Sequence, residues 1–280
     1  MSDVPALSPE QRALFFRYDR ALPLRAEEQG DEVIDGVRVF RFRFDSTHGE
    51  RVPATAWVEA GAAAARPVIL LQHGAGSSRE DSYIRLPALR WARQGFACIA
   101  IDAHLHGERL LAQRDPGRIW QLPWSRKEHA VQMTVDLMRL LDLVETRPEF
   151  NSSRVGYLGF SMGTIMGVPF VGLDPRVKSA CFAIGGSLIG RAAASSDASL
   201  RLDNEAAAEI TDPIHFAPLI APRPVLMING RQDQTVPPAS AEGLYAALNQ
   251  PKRIEWYDGG HTDLRGAQFA QMLTFFRETL

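Results

Sequence analysis

Six short apolar, β-prone runs constrain this chain more than any other feature: PVILLQ (67–72), FACIAI (96–101), RVGYLG (154–159), SACFAI (179–184), PVLMIN (224–229) and RIEWY (253–257). Most are hydrophobic at nearly every position, the pattern of strands covered on both faces. Helical segments lie between them, at about 79–94, 126–147, 162–172, 238–249 and 263–279. Strand and helix in alternation predict an α/β chain built on a mostly parallel, doubly wound sheet with helices on both faces. Ahead of this series, Val37 to Phe44 alternates apolar residues with Arg38, Arg41 and Arg43, and Val52 to Glu59 follows after a turn. That pair reads as an antiparallel hairpin at a sheet edge, which brings the sheet to about eight strands.

Residues 1–35 are polar and punctuated by Pro5, Pro9 and Pro23. One helix is expected there, from Pro9 to about Arg20, with Ser8 as N-cap and Pro9 in the first helical position. The organisation expected is an N-terminal extension (1–35) packed on one catalytic domain (36–280). Two spacers, about 102–125 and 185–222, are longer than connectors need to be, and loops of that length usually carry function. Helices are expected within about 204–219 of the second.

Composition narrows the partners. The chain has 280 residues, 45% hydrophobic and 23% charged, with a formal net charge of −2. No basic field is present to attract nucleic acid or an anionic membrane. The N-terminus has neither a basic nor an apolar leader segment, and no apolar run approaches the ~20 residues that span a bilayer. A cytoplasmic protein is therefore expected, and a homodimer stays open because the sequence is silent on oligomeric state. Cys98 and Cys181 each sit inside an apolar run, which favours buried free thiols over a disulfide.

In a doubly wound sheet, reactive groups gather just past the carboxyl ends of the strands. The strand ends here carry His73 after PVILLQ, Asp102-Ala103-His104-Leu105-His106 after FACIAI, Ser161 after RVGYLGF, Asp233 after PVLMIN and His261 after RIEWYDGG. Ser161 stands in Gly159-Phe160-Ser161-Met162-Gly163, between a β-prone run and a small-residue helical run. This is the strand–turn–helix context of a nucleophile elbow, where glycines are needed because the two backbones pass close together. Pro169, within the following helix, is expected to end or kink it.

These pieces resemble an α/β-hydrolase, most of all the branch of dienelactone hydrolases and related acyl-ester hydrolases or serine peptidase catalytic domains. HGAG (73–76), DAHLHGER (102–109), GFSMG (159–163), PRPVLMINGRQDQTVP (222–237) and GGH (259–261) carry the resemblance, which covers about residues 37–280. It implies a triad of Ser161, His261 and Asp233, with Ser161 as nucleophile and His261 as its base. Asp233 would hold the His261 tautomer and stabilise the imidazolium. Asp258 and Asp263 lie too close to His261 in sequence to fit the usual chain order. The family pattern also implies an oxyanion hole made by the backbone N–H groups of Met162 and Ala75. His73 is expected to buttress the oxyanion loop. The implied activity is hydrolysis of a small acyl ester or lactone through an acyl-enzyme, without a cofactor. Thioester or peptide hydrolysis would use the same groups.

Two readings from other classes stand beside this one. Asp102, His104 and His106 form a D-x-H-x-H pattern that on a strand would turn one face toward a zinc ion. The α/β-hydrolase pattern treats Asp102 and His106 as structural turn residues instead. The other reading is a non-catalytic ligand-binding protein on the same fold, against which the complete triad argues. For substrate contact, Trp120 and Trp124 in the first spacer are the candidates, either lining an acyl or alcohol pocket or pinning the loop to the body. The second spacer is too short and polar for a large apolar lid.

Overall fold

A computed structural model describes residues 5–110, 122–187 and 200–280. Its strands are β1 (Glu27–Ile34), β2 (Val37–Asp45), β3 (Arg51–Glu59), β4 (Arg66–Gln72), β5 (Ala97–Ile101), β6 (Phe150–Phe160), β7 (Val177–Ala183), β8 (Val225–Gly230) and β9 (Lys252–Tyr257). They form one nine-stranded sheet in the order β1-β2-β3-β5-β4-β6-β7-β8-β9. The first three strands and the β3–β5 pair are antiparallel, and everything from β5 to β9 is parallel. Every residue of β5 and β8 is buried, as their unbroken apolar sequences require.

The helices are α1 (Pro9–Leu14), α2 (Ser82–Ala92), α3 (Pro123–Val144), α4 (Met162–Leu173), α5 (Arg201–Thr211), α6 (Pro238–Ala247) and α7 (Gly266–Thr279). Apolar residues of α2 and α7, including Trp91, Met272 and Phe276, cover one face of the sheet. Those of α3, α4 and α6, including Leu140, Val168 and Leu244, cover the other. Cys98 and Cys181 are buried, unpaired thiols. No described helix is long and apolar enough to cross a membrane.

Three elements differ from expectation. β1 is a ninth strand, formed by the acidic segment EEQGDEVI, which lacks the apolar alternation that marks a strand. It pairs with β2 through the backbone ladder and through opposite charges, Asp31 to Arg38 at 2.6 Å and Glu32 to Arg41 at 3.0 Å. An exposed, charged edge strand of this kind also discourages pairing with another chain.

The helix starting at Pro9 ends at Leu14 rather than near Arg20. Ser8 and Gln11 make the capping box at its start. Beyond Leu14, packing overrides helix propensity. Phe16 packs edge-on against Phe216, 5.4 Å between centroids, while Tyr18 and Arg20 reach Asp142.

The third is α4, which does not end at Pro169 but runs through it to Leu173. Met162 to Val171 are buried, so contacts on every side offset the hydrogen bond that a proline forfeits, a loss of about 3 kcal/mol or more in an exposed helix.

The topology places the site. β4 lies between β5 and β6, so the chain leaves β4 toward one side of the sheet and later returns on its other side. In open α/β sheets, binding crevices form where such a reversal separates the loops at the carboxyl ends. Here Gln72 pairs with Gly159, so the loop after β4 and the turn after β6 face each other across that reversal.

Candidate active site

Ser161 occupies the single-residue turn between β6 and α4 with φ 53° and ψ −111°. A non-glycine residue in this region carries strain of order 1–3 kcal/mol and persists only where its surroundings impose it. They do so here. A Cβ on Gly159 would lie 2.4 Å from the Gly163 carbonyl oxygen, and one on Gly163 would lie 2.4 Å from that of Gln72. Only glycine lets β6, α4 and the end of β4 approach so closely. Thr164 ties the turn to β7, donating to the carbonyls of Gly159 at 2.8 Å and Ala183 at 3.0 Å. The Ser161 N–H also donates to Ala183 O, at 2.9 Å.

The other two predicted side chains arrive from β8 and β9. His261 Nε2 lies 2.9 Å from Ser161 Oγ, and His261 Nδ1 lies 2.7 Å from Asp233 Oδ2. Asp233 is buried, and its Oδ1 accepts the N–H groups of Thr235 and Val236, both at 2.8 Å. One carboxylate oxygen is thereby fixed by backbone and the other faces the imidazole. The arrangement places the proton on Nδ1 and leaves Nε2 as an acceptor for the serine hydroxyl. Asp263 instead braces the loop, accepting from Gly260 N at 2.8 Å, while Asp258 is turned out toward Arg231.

Met162 is the first residue of α4, and its N–H joins the positive end of the helix beside Ser161. Ala75 sits on the loop after β4, at the same crevice as Ser161. Neither N–H has a hydrogen-bond partner among the described residues, so both are available to an incoming oxygen. The loop bearing Ala75 is held from two sides. His73 is buried, with Nδ1 donating to Gly74 O at 2.7 Å and Nε2 accepting from Ala103 N at 3.0 Å. Burial lowers its pKa to about 4, so the ring is neutral in this role. On the other side, the Gly74 N–H donates to Tyr83 Oη at 2.9 Å, and that hydroxyl donates to Ser77 Oγ at 2.8 Å.

The D-x-H-x-H segment is structural. The Asp102 carboxylate is paired with the buried Arg79 guanidinium and accepts the N–H groups of Arg79 and Glu108, each at 2.9 Å. His106 turns its Nδ1 to the His104 carbonyl at 3.0 Å, and burial lowers its pKa. His104 Nε2 lies 3.6 Å from Glu50. Among the described residues no three His, Cys, Asp or Glu side chains are arranged to hold a metal.

The crevice over Ser161 has a volume of about 380 Å³, and Tyr83, Phe160, Ile184, Leu264 and Phe269 supply its apolar wall. Trp124 does not line it. That residue stands in the first turn of α3, is 43% exposed and lies beside Lys127, 5.3 Å from ring centre to Nζ. Trp120 lies outside the described residues, as does the stretch 111–121 of the spacer it belongs to. Sequence reasoning missed Tyr83, Thr164, Ile184 and Phe269. Ile184 alone leaves a trace, as the first residue beyond β7. Its φ of 47° is strained for a β-branched side chain and turns it into the crevice wall.

Comparison with known proteins bears on the fold and the family. Acetyl xylan esterase 1 from Thermoanaerobacterium sp. JW/SL YS485 superposes with a TM-score of 0.81 at 21% identity, over 99% of this chain and 95% of that one. Acetyl xylan esterase from Paenibacillus sp. R4 gives 0.78 at 23%, over 97% and 93%. A cold-adapted esterase from an Arctic intertidal metagenomic library gives 0.72 at 23%, over 91% and 99%. Identities this low carry the fold alone, which is that of an α/β-hydrolase. No curated protein matches by sequence. The model of the dienelactone hydrolase family matches residues 54–263, from β3 to just beyond His261, and the chain belongs to that family.

Proposed function

We propose that the protein is a serine-dependent hydrolase of small carboxylic esters or lactones, acting through an acyl-enzyme on Ser161. The observation that carries this reading is the unbroken hydrogen-bonded chain from Asp233 through His261 to Ser161 Oγ. Family membership supports ester hydrolysis as the reaction type.

In the proposed cycle, His261 Nε2 takes the hydroxyl proton as Ser161 Oγ attacks the substrate carbonyl. The tetrahedral oxyanion is received by the N–H groups of Met162 and Ala75, with the α4 dipole behind the first. The imidazolium is stabilised by Asp233. It returns the proton to the departing alkoxide, leaving the acyl group on Ser161. Water, deprotonated by His261, then attacks the acyl carbonyl, and collapse releases the acid and restores the serine. The protein's own side chains and backbone supply every group in this cycle.

The apolar, half-open crevice suits a modest acyl or alcohol group. Two structural neighbours that align over nearly their whole length are acetyl xylan esterases, so acetylated sugars belong in the first substrate panel beside aryl acetates and lactones. Thioesters and peptides are the comparison classes, because the same groups would serve them. The reading predicts that Ser161→Ala abolishes turnover of p-nitrophenyl acetate while leaving the thermal melt unchanged. A variant retaining wild-type turnover would overturn it.

A further inference from the structure

A second crevice, of about 240 Å³, adjoins the one over Ser161. Leu86, Pro87, Trp91 and Gly266 line it together with Tyr83 and Phe269, and the last two also line the first crevice. The divide between the two spaces is therefore a pair of aromatic side chains, both only half-buried. Both rest on Phe160, the residue before Ser161. Its buried ring lies 5.3 Å from that of Tyr83, edge-on, and 6.0 Å from that of Phe269. The divide is thus tied directly to the turn that carries Ser161. Leu86, at the far side, leaves 56% of its surface exposed, an apolar lip with no described residue covering it.

We infer that the second crevice is a subsite for an unbranched apolar chain of the ester, and that Tyr83 and Phe269 set how readily the chain passes into it. The inference rests on Ser161 being the nucleophile, because that fixes where the ester group sits. An ester bound at Ser161 with a substituent too long for the first crevice meets the aromatic divide first. Beyond it lies a largely hydrocarbon surface, with the Arg90 side chain at the rim whose stem can cover apolar atoms while its head stays in water. Apolar lining rewards each methylene removed from water, about fourfold in kcat/KM per group that reaches it. The chain belongs to either half of the ester, acyl or alcohol, and the two are separable by experiment.

Gly266 supplies a clean probe. A Cβ built on it meets nothing within 4 Å, and its backbone lies outside the left-handed region, so a larger side chain fits without strain. It lines only the second crevice and takes no part in the proposed chemistry. The experiment measures kcat/KM for p-nitrophenyl esters from acetate to octanoate, and for alkyl acetates from ethyl to octyl. The enzymes compared are wild type, Gly266→Phe, Gly266→Ala and Phe269→Ala. Gly266→Phe is expected to reduce turnover of the longest member of one series about tenfold or more, with p-nitrophenyl acetate within about twofold of wild type. Gly266→Ala, too small to fill the space, should keep the wild-type profile, and Phe269→Ala should move the optimum toward longer chains. The series that responds identifies the half of the ester that enters. If the long-to-short ratio is the same in wild type and Gly266→Phe for both series, the subsite is overturned, while retained acetate turnover leaves the serine-hydrolase reading standing. Should Ser161→Ala retain acetate turnover, the reading beneath the subsite fails instead.

Discussion

Two loops at the carboxyl ends of strands carry the same residue types to different ends. After β8, the Asp233 carboxylate uses one oxygen for two backbone N–H groups and turns the other to His261, whose far nitrogen meets Ser161 Oγ. After β5, the Asp102 carboxylate also accepts two backbone N–H groups, but its charge is met by the buried Arg79 guanidinium. The histidines near Asp102 turn to backbone carbonyls or to Glu50 rather than to a hydroxyl. One carboxylate faces an imidazole that meets a hydroxyl, and the other locks a loop. The residue types alone do not distinguish them. What each carboxylate faces does.

The largest effect that would break this contrast is on turnover. Asp233→Asn should lower kcat by roughly 10⁴-fold, because the amide no longer fixes the Nδ1–H tautomer, while the melt stays near wild type. Asp102→Asn should do the reverse. It removes the buried carboxylate from Arg79 and leaves the guanidinium only the more exposed Glu108, costing about 3 kcal/mol of stability in a denaturant titration, with kcat of the folded fraction within about tenfold of wild type. A loss of kcat in a fully stable Asp102→Asn protein would contradict the structural assignment.

The acid side of the stability curve sharpens the same contrast. His73 accepts a proton near pH 6.5 when unfolded but only near about 4 when folded. Between those values the unfolded state binds more protons, so its contribution is complete above pH 6.5 and is lost as pH falls toward 4. That contribution is on the order of 3 kcal/mol. His106 and His129, also lowered by burial, act in the same direction. Urea midpoints at pH 7.5 and pH 5 measure it. A midpoint that rises on acidification would show the cluster to be charged in the folded protein.

Tyr83→Phe keeps the ring against Phe160 and removes the hydroxyl that accepts the Gly74 N–H. A looser oxyanion loop should lower kcat about tenfold with KM nearly unchanged, since the N–H groups of that hole act most strongly in the transition state. The smallest expected effect is that of Trp124→Ala, within about twofold on acetate esters, because the side chain faces solvent beside Lys127.

The parallel half of the sheet was legible because its strands are continuously apolar and its helices periodic, and both properties follow from burial. Ser161, Asp233 and His261 could be singled out because each stands just past such a strand, and the structure brings the three side chains together. β1 was not, since EEQGDEVI owes its pairing to arginines on β2 rather than to any pattern of its own. The early end of α1 depends on Phe216 and Asp142, which lie about two hundred and more than a hundred residues away in sequence. Tyr83 and Phe269 were hidden for a related reason. On an amphipathic helix an aromatic residue reads as core, and only the assembled sheet edge turns these two toward Ser161.

The central claim, that Ser161 is the group acylated, is tested most directly by labelling with a fluorophosphonate and mapping the adduct by peptide mass spectrometry. The structure predicts one adduct, on Ser161, absent from Ser161→Ala and formed far more slowly in His261→Ala. An adduct elsewhere, or none in an enzyme that hydrolyses esters at full rate, would contradict the account.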